Sequence, residues 1–529
     1  MDEDRNQREH RRRPVIYGAA LVFALLGLTA DLALTRTPAA NSAPVSAAPQ
    51  PAPVVPAPDA APATPRAETP PAASQRIRGT VLDADRRTPL RGASIWAGQI
   101  EAVTDADGRF ALDIPGAATL IVKAPGYEMR RVPALDFDIA VALKPKSVRA
   151  AYLTYYGIAE PSIRNRVLDL VGRTELNAVV IDVKGDRGLI PYRTEVPAAL
   201  EAGALGPVII KDFDGMLRSF RERGIYTIAR IVAFKDTVLA KHRPDLAIID
   251  TRTGKPWIDN EKLAWVDPFR EEVWDYLIAI AKEAVAKGFD EVQFDYVRFP
   301  TDGRLSAAAY AQPNTSATRL PAIAGFLAKA RRELGPTGAF LSADVFGYTA
   351  FNANDTDIGQ RVEELAPHLD YICPMVYPSG YHLGIPGFRN PVTHPYEVVR
   401  ESVRLIRQRT QHTAVQVRPW LQDFRDYAFD RRIFGTREIR AQIKGASDGG
   451  GMGFMLWNPR NDYTAQALSP KTGAVTTTVA APATIAVPAT VAVPAMGAVP
   501  MAVTVPKTRA AAPKTVAVPK PVAVKRPPG

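Results

Sequence analysis

The feature that most constrains the fold is a series of apolar, strand-like segments that alternate with helical patterns over residues 149–468. The predicted strands span residues 150–156, 176–184, 226–233, 291–298, 340–346, 371–377, 414–420 and 452–457. Strands that alternate with helices favour a parallel sheet, and about eight such units close a (β/α)8 barrel. The sequence therefore predicts an α/β fold, a TIM barrel, over residues 149–468.

The fourth of these segments, GFDEVQFDYVRFP at residues 288–300, carries an acid to the end of a strand. Val292, Phe294 and Tyr296 share one face of the predicted strand, and Asp295 lies on the other face. In parallel α/β folds the loops at the C-terminal ends of the strands form the crevice that binds ligands. We therefore expect Asp295 to lie in that crevice.

Alternation in the other strands predicts further side chains at the same rim. Asp182 and Lys184 should point inward from the second strand, and Asp344 from the fifth. We expect them to be joined at the rim by Arg230, Arg298, Tyr377, Trp420, Gln422, Trp457 and Asn458. A single inward acid is about as often a structural salt-bridge partner as a functional group, but three acids together favour a functional site.

Four motifs in order point to one family. LNAVVIDVKGDRG (residues 176–188), GIYTIARIVAFKD (224–236) and WVDPFREEVWDYLIAIAKEA (265–284) precede the GFDEVQFDYVRFP motif. Together they resemble a bacterial family of glycoside hydrolase domains that was first catalogued as a domain of unknown function. The resemblance implies a TIM-barrel hydrolase that acts on a polysaccharide.

Glycoside hydrolysis usually needs two carboxyl groups. Neighbouring strands lie about 4.8 Å apart, so Asp295 and Asp344 could hold their carboxyl groups roughly 5–6 Å from each other. That separation suits a retaining mechanism better than an inverting one. We assign Asp295 as the nucleophile and Asp344 as the acid/base; reversed roles, or Asp182 as a partner, remain alternatives.

A second class of function also remains open. No glutamate occupies a predicted catalytic position, and aspartate is the less usual proton donor of a glycosidase. The alternative is a noncatalytic glycan-binding or envelope-organising protein that uses the barrel as a binding platform.

The first 36 residues carry a targeting pattern. Arg8, Arg11, Arg12 and Arg13 precede residues 14–30, which contain no charged side chain. Such a segment can span a bilayer with its basic flank in the cytoplasm. A signal peptidase needs small side chains at fixed positions just before the cleavage point, and the end of this segment meets that requirement poorly. We predict an uncleaved transmembrane helix in the bacterial inner membrane, with the rest of the chain periplasmic or extracellular; cleavage would make the protein secreted.

Residues 76–146 show short alternating segments separated by Asp, Gly and Pro turns, which predicts a small β-sandwich. GTV at residue 79, PLRGA at 89, TDADG at 104 and APGY at 124 resemble the carboxypeptidase regulatory-like domain. Asp105 and Asp107 lack the other ligands of a calcium loop, so we interpret them as parts of a hairpin turn.

Low-complexity segments flank the two predicted domains. Residues 37–75 are rich in Pro and Ala and predict an extended linker, and residues 469–529 predict a disordered basic tail. The net charge of +11 does not indicate a nucleic-acid partner, because the tail beyond residue 469 holds seven basic residues and no acid. The expected partners are a polysaccharide and, through the N-terminal helix, the membrane.

Other chemistries lack their motifs. Cys373 is the only cysteine, so no intramolecular disulfide can form, and we interpret it as a buried core residue. The six histidines do not stand at metal-ligand spacing, and no nucleotide-binding loop or serine-nucleophile motif occurs. We therefore expect no metal and no cofactor.

Overall fold

The computed structural model describes residues 74–116, 118–134 and 138–471, with the side chains of residues 74, 208 and 209 excepted. The predicted anchor at residues 14–30, the linker up to residue 73 and the tail after residue 471 lie outside the described residues. Within the described ranges, no helix is both long enough and apolar enough to cross a membrane.

The first folded region is strand-rich and consists of two sheets. Its strands are β1 Ser74–Asp83, β2 Ser94–Ala97, β3 Ile100–Val103, β4 Arg109–Pro115, β5 Thr119–Lys123, β6 Arg130–Pro133 and β7 Asp138–Leu143. One sheet has the order β4-β1-β7 and the other has the order β3-β2-β5-β6. Buried side chains from both sheets, such as Ile77, Ile95 and Val122, form one hydrophobic core. All pairs are antiparallel except β1 with β7, which is parallel.

The second region alternates strands with helices. Its strands are β8 Arg149–Leu153, β9 Ala178–Lys184, β10 Ile190–Tyr192, β11 Leu205–Ile210, β12 Tyr226–Val232, β13 Ile249–Asp250, β14 Glu291–Asp295, β15 Ala308–Ala309, β16 Phe340–Phe346, β17 Tyr371–Met375, β18 Gln416–Val417, β19 Trp420–Gln422 and β20 Phe454–Trp457. Its helices are α1 Tyr155–Ala159, α2 Pro161–Arg173, α3 Pro197–Glu201, α4 Phe213–Glu222, α5 Thr237–His242, α6 Glu271–Lys287, α7 Ser316–Leu334, α8 Val362–Leu365, α9 Pro395–Arg409 and α10 Thr436–Asp448.

The parallel strands close into a barrel. The order β16-β14-β12-β9-β8-β20-β19-β17 is completed by pairing between β16 and β17, and β18 forms the first part of the seventh barrel strand. This is the eight-stranded parallel barrel that the sequence predicts. The remaining short strands, β10 with β11 and β13 with β15, form two small sheets of their own.

Residue alternation separates the two faces of each barrel strand. In β9, Val179, Ile181 and Val183 join the hydrophobic core that contains the helices, while Ala178 and Val180 fill the barrel interior. The side-chain period of two in a strand produces this division. It leaves alternate positions near the C-terminal end of each strand available for a site.

Several strands end earlier than the sequence pattern predicts. The first ends at Leu153, because the Thr154 side chain accepts a hydrogen bond from the Gly157 amide and caps α1. The fourth ends at Asp295, because Tyr296 adopts a φ of 49° in the left-handed region, which is unusual for a bulky residue.

The strand-rich domain contacts the N-terminal ends of the barrel strands. Lys123 Nζ, at the end of β5, donates hydrogen bonds to the Asp370 carboxylate at 2.7 Å and to the Ala339 carbonyl at 2.6 Å. The Gly126 amide donates to the Tyr371 hydroxyl at 2.7 Å. Ala339 and Asp370 directly precede β16 and β17, so this domain covers part of the end of the barrel opposite the strand C-termini.

Candidate active site

A cavity of about 470 Å³ lies at the C-terminal ends of the barrel strands. We call it the mouth pocket. The barrel-strand side chains that line it include Asp182, Arg230, Asp295, Asp344, Trp420 and Trp457. Each stands at or near the end of its strand, so the barrel geometry brings together residues that are far apart in the chain. This is the end of a parallel barrel where sites normally form.

Arg230 joins two of the three predicted acids. Its Nη1 donates to Asp182 Oδ1 at 2.6 Å, and its Nε and Nη2 donate to Asp295 Oδ2 at 3.0 and 2.5 Å. The Tyr296 amide donates to the other Asp295 oxygen at 2.6 Å. Both oxygens of Asp295 therefore accept hydrogen bonds, and these fix the orientation of the carboxylate.

Asp182 accepts hydrogen bonds from several directions. Besides Arg230, the Tyr152 hydroxyl donates to its Oδ2 at 2.6 Å and the Tyr155 amide at 3.1 Å. Burial raises the pKa of Asp182, while Arg230 and Tyr152 oppose that shift. Both Asp182 oxygens therefore accept hydrogen bonds, and the carboxylate helps to hold the Arg230 guanidinium in place.

Asp344 has a different environment. It is 1 % exposed, and the Trp420 indole Nε1 donates to its Oδ1 at 2.7 Å. Burial, followed by repulsion from the Asp295 carboxylate, raises the pKa of Asp344 well above its usual range. A carboxyl group whose pKa is raised in this way keeps its proton to a higher pH than an ordinary aspartate and can donate it.

The strand register sets the relation between the two acids. β14 pairs with β16 in parallel, and Phe294 is the partner of Ala343. Asp295 and Asp344 are the next residues on these strands, so they lie side by side on neighbouring strands about 4.8 Å apart. Two carboxyl groups in unlike environments at this spacing are able to divide the acid and nucleophile roles.

Aromatic rings form the wall beside the acids. Tyr152 and Trp457 are stacked with their centroids 4.0 Å apart and their planes 9° apart, and Trp420 meets Trp457 edge-on at 5.4 Å. The Arg230 guanidinium carbon lies 5.2 Å from the Trp457 ring. Tyr152 therefore covers one face of Trp457, and the rings help to hold the guanidinium that joins the acids.

The structure brings most, but not all, of the predicted residues into the pocket. Arg298 and Tyr377 line it with those already described. Lys184 does not: the register between β9 and β12 shifts after Asp182, and Lys184 forms a fully buried ion pair with Asp236 at 2.8 Å. This shift turns the side chain away from the pocket.

Gln422 and Asn458 also lie outside the pocket lining. The Gln422 side chain exchanges hydrogen bonds with the Ser379 amide and hydroxyl, and the Asn458 amide group donates to the carbonyls of Asp423 and Asp462. Both residues follow or end a strand, where alternation no longer determines the direction of the side chain. In the structure they tie loops together.

Tyr152 and Tyr155 are pocket residues that the sequence analysis did not select. Tyr152 could have been found, since it has the inward parity of the first barrel strand. Tyr155 could not, because its position depends on the early end of β8 and the start of α1. Within the described ranges, no cluster of His, Cys, Asp and Glu has the arrangement of a metal site.

The shifted pKa of Asp344 has a consequence for stability. Because the folded-state pKa lies above that of the unfolded chain, Asp344 destabilises the fold as the pH rises from about 4 through the raised value. Asp344→Asn cannot ionise and can still accept from Trp420. We expect a higher melting temperature than wild type at pH 8 and an equal one near pH 4, measured by thermal unfolding. Asp169→Asn, at an exposed helix position, is the control and should change neither value. A wild type as stable as Asp344→Asn at pH 8 would contradict this account.

A closed (β/α)8 barrel with paired carboxyl groups and aromatic rings at its C-terminal rim defines a glycosidase-like enzyme. Residues 150–463 match the family described as "Putative glycosyl hydrolase domain", and residues 76–144 match the carboxypeptidase regulatory-like domain. The chain belongs to this glycosyl hydrolase domain family. The order of the two domains is the one that the sequence motifs predict.

Solved structures that match this chain include a hypothetical protein from Ruminiclostridium thermocellum, 40 % identical over 37 % of this chain and 97 % of that one, with a TM-score of 0.33. The glycoside hydrolase domain of PgaB (BpsB) from Bordetella bronchiseptica is 15 % identical over 61 % of this chain and 99 % of that one, with a TM-score of 0.44. The α-galactosidase TtGalA from Thermus thermophilus is 15 % identical over 74 % and 78 %, with a TM-score of 0.38. None of the curated proteins matches this chain.

Proposed function

We propose that the barrel hydrolyses glycosidic bonds in an envelope or extracellular polysaccharide by a retaining mechanism. The observation that carries the proposal is the unlike environment of two adjacent acids. Asp295 accepts two hydrogen bonds from the Arg230 guanidinium, whereas burial and the Asp295 charge raise the pKa of Asp344. These are the states that a nucleophile and a proton donor require.

The two steps follow from these roles. Asp344 gives its proton to the glycosidic oxygen while an Asp295 oxygen attacks the anomeric carbon, so that the leaving sugar departs and a glycosyl ester forms. Asp344, now ionised, takes a proton from a water molecule, which attacks the same carbon. The ester bond breaks, Asp295 returns as the carboxylate and Asp344 is protonated again.

The aromatic wall supports sugar as the substrate class. Flat apolar faces pack against sugar rings, and clefts of this kind combine them with a few polar groups that orient the ligand. Trp457 is half-buried and lines the mouth pocket, and Tyr377 contributes a second ring. The proposed binding contacts therefore lie beside the proposed reacting groups.

The test is release of reducing ends from bacterial envelope polysaccharides by the purified full-length protein, compared with Asp295→Asn. We expect release by the wild type and a loss of at least about 10⁴-fold in the variant. Equal binding of polysaccharide by both proteins without release from either would favour the noncatalytic binding platform. Release by both proteins at the same rate would refute Asp295 as the nucleophile.

We also propose that the enzyme works outside the cytoplasm, held by residues 14–30. The uncharged stretch and its basic flank motivate this proposal. Fractionation of a bacterium that expresses the full chain should leave the protein in the inner-membrane fraction. Recovery of a mature form that begins soon after residue 30 would refute the anchor.

A further inference from the structure

Arg298 is a buried cation in the mouth pocket that has no carboxylate partner. It is 7 % exposed, it lies three residues beyond Asp295, and it lines the pocket. Burial lowers the pKa of Arg298, although nearby carboxylates oppose that shift. No carboxylate among the described residues lies within ion-pair distance of it.

The other buried arginines of the described residues differ in this respect. Arg230 pairs with Asp182 and Asp295, Arg319 pairs with Asp355 at 2.7 Å, and Arg418 pairs with Glu291. A buried charge without a partner is costly, so it is normally paired. Arg298 is therefore the exception among four arginines that are at least nine-tenths buried.

Aromatic rings hold the charge of Arg298 without neutralising it. Its guanidinium carbon lies 4.6 Å from the Phe346 ring, 4.9 Å from Tyr296 and 5.1 Å from Trp265. Each ring face attracts a cation, and the interaction is stronger when the pair is shielded from water. A ring that attracts a guanidinium accepts no conventional hydrogen bond from it, so the N–H groups along the edge of the guanidinium still need acceptors.

Part of that edge is unused. Nη1 donates to the Phe299 carbonyl at 3.0 Å and weakly to the Thr301 hydroxyl at 3.4 Å. Nε and Nη2 have no acceptor within the part of the chain that the structure describes. Neither nitrogen is among the fully buried, unsatisfied atoms of the described residues, so both have some exposure.

We infer that Arg298 binds an anionic substituent of the substrate, so that the mouth pocket selects a polysaccharide with acidic sugar units. Two parallel N–H groups on one edge match the two oxygens of a carboxylate or of a sulfate or phosphate group. This inference rests on the proposed function, because it places the acidic sugar beside Asp295 and Asp344. It names the substrate class that the pocket geometry selects.

The charges around Arg298 do not replace such a ligand. Asp295, Asp302 and Asp259 attract it from beyond ion-pair distance, and each makes closer bonds elsewhere: Asp295 with Arg230, Asp302 with the Asn260 amide, and Asp259 with Lys235 at 3.0 Å. Each of these carboxylates therefore has its own partner. The free edge of Arg298 remains for a group from outside the chain.

The test measures binding rather than turnover. Glucuronate, glucose 6-sulfate and glucose are titrated into the full-length protein by calorimetry. We expect at least one acidic sugar to bind about 10- to 100-fold more tightly than glucose, as hydrogen bonds to charged groups allow. The tighter of the two acids identifies the substituent as carboxylate or sulfate. If neither acid binds more tightly than glucose, the inference is wrong.

Two variants separate a built site from a general positive charge. Arg298→Gln should reduce the preference for the acidic sugar to less than about 3-fold, and Arg298→Lys should keep part of it. Arg187→Gln is the matched control, because Arg187 lines the same pocket but is exposed. Equal loss of the preference in Arg187→Gln and Arg298→Gln would overturn the assignment to Arg298.

These results are distinguishable from failure of the proposed function. Release of reducing ends by a protein without acidic-sugar preference would reject the role of Arg298 and leave the hydrolase intact. A preference for acidic sugars without hydrolysis would support the role of Arg298 and reject the proposed hydrolase. The comparison of sugars uses the wild type, so it remains decisive even if Arg298→Gln does not fold.

Discussion

Asp295→Ala is expected to lose about 10⁴- to 10⁶-fold in kcat on every substrate, because no glycosyl ester can form without the attacking carboxylate. Asp344→Ala should behave differently. On aryl glycosides whose leaving group needs no proton, it should keep measurable turnover, since only protonation of the leaving group is lost. The measurement is kcat/KM for both variants on a poor and on a good leaving group.

Azide sharpens this comparison. In Asp344→Ala no general base activates water, so the glycosyl ester should accumulate, and azide can attack it without base assistance. The product should be a glycosyl azide of retained configuration, identified by NMR. Asp295→Ala should give no glycosyl azide of retained configuration, because it forms no glycosyl ester.

Two results would change the assignment. An inverted product from the wild-type enzyme would overturn the retaining mechanism. Equal and total loss in both variants on every substrate would leave the two roles undivided and would make Asp182 a candidate again. Asp182 accepts bonds from Tyr152, Tyr155 and Arg230, so its substitution should disturb the position of Arg230 as well as the chemistry.

The inward acids of the barrel were predictable because a strand has a side-chain period of two. Val292 and Phe294 mark the outer face of β14, so the direction of Asp295 follows, and the same holds for Asp182 and Asp344. Alternation no longer predicts the direction of a side chain where the strand is irregular. The register shift after Asp182 turns Lys184 away, and nothing in NAVVIDVKG signals that shift.

Loop and tertiary effects account for the other differences. The seventh strand is interrupted between Gln416–Val417 and Trp420–Gln422, where Pro419 supplies no backbone N–H. Gln422 and Asn458 then bond to loop groups whose positions depend on the whole fold. The Lys123 ion pair could not be predicted from local sequence at all. Nothing in TLIVK indicates that Lys123 pairs with Asp370, which is almost 250 positions away.

The Lys123 ion pair carries the second large expected effect. Lys123 and Asp370 are 2.7 Å apart and their side chains are 3 % and 4 % exposed. Lys123→Met would leave Asp370 buried without its closest cation, since Arg331 remains 3.9 Å away. Breaking a buried pair in this way should lower the free energy of unfolding by about 3–5 kcal/mol. Urea unfolding of the full chain at pH 7 measures this loss, and Lys144→Met at an exposed position of the same domain should change it by less than about 0.5 kcal/mol.

A second substitution tests whether the loss comes from the unpaired charge. Asp370→Asn removes the charge, and its amide oxygen can still accept from the Leu341 amide, which donates to Asp370 at 2.8 Å. Lys123→Met combined with Asp370→Asn should therefore recover much of the stability, because replacing both charges of a buried pair costs less than removing one. If the double variant is as unstable as Lys123→Met alone, packing at Lys123 and its bond to the Ala339 carbonyl are responsible instead.

A single unfolding transition that shifts as a whole in Lys123→Met would indicate that the strand-rich domain and the barrel unfold together, since the pair joins the end of β5 to the start of β17.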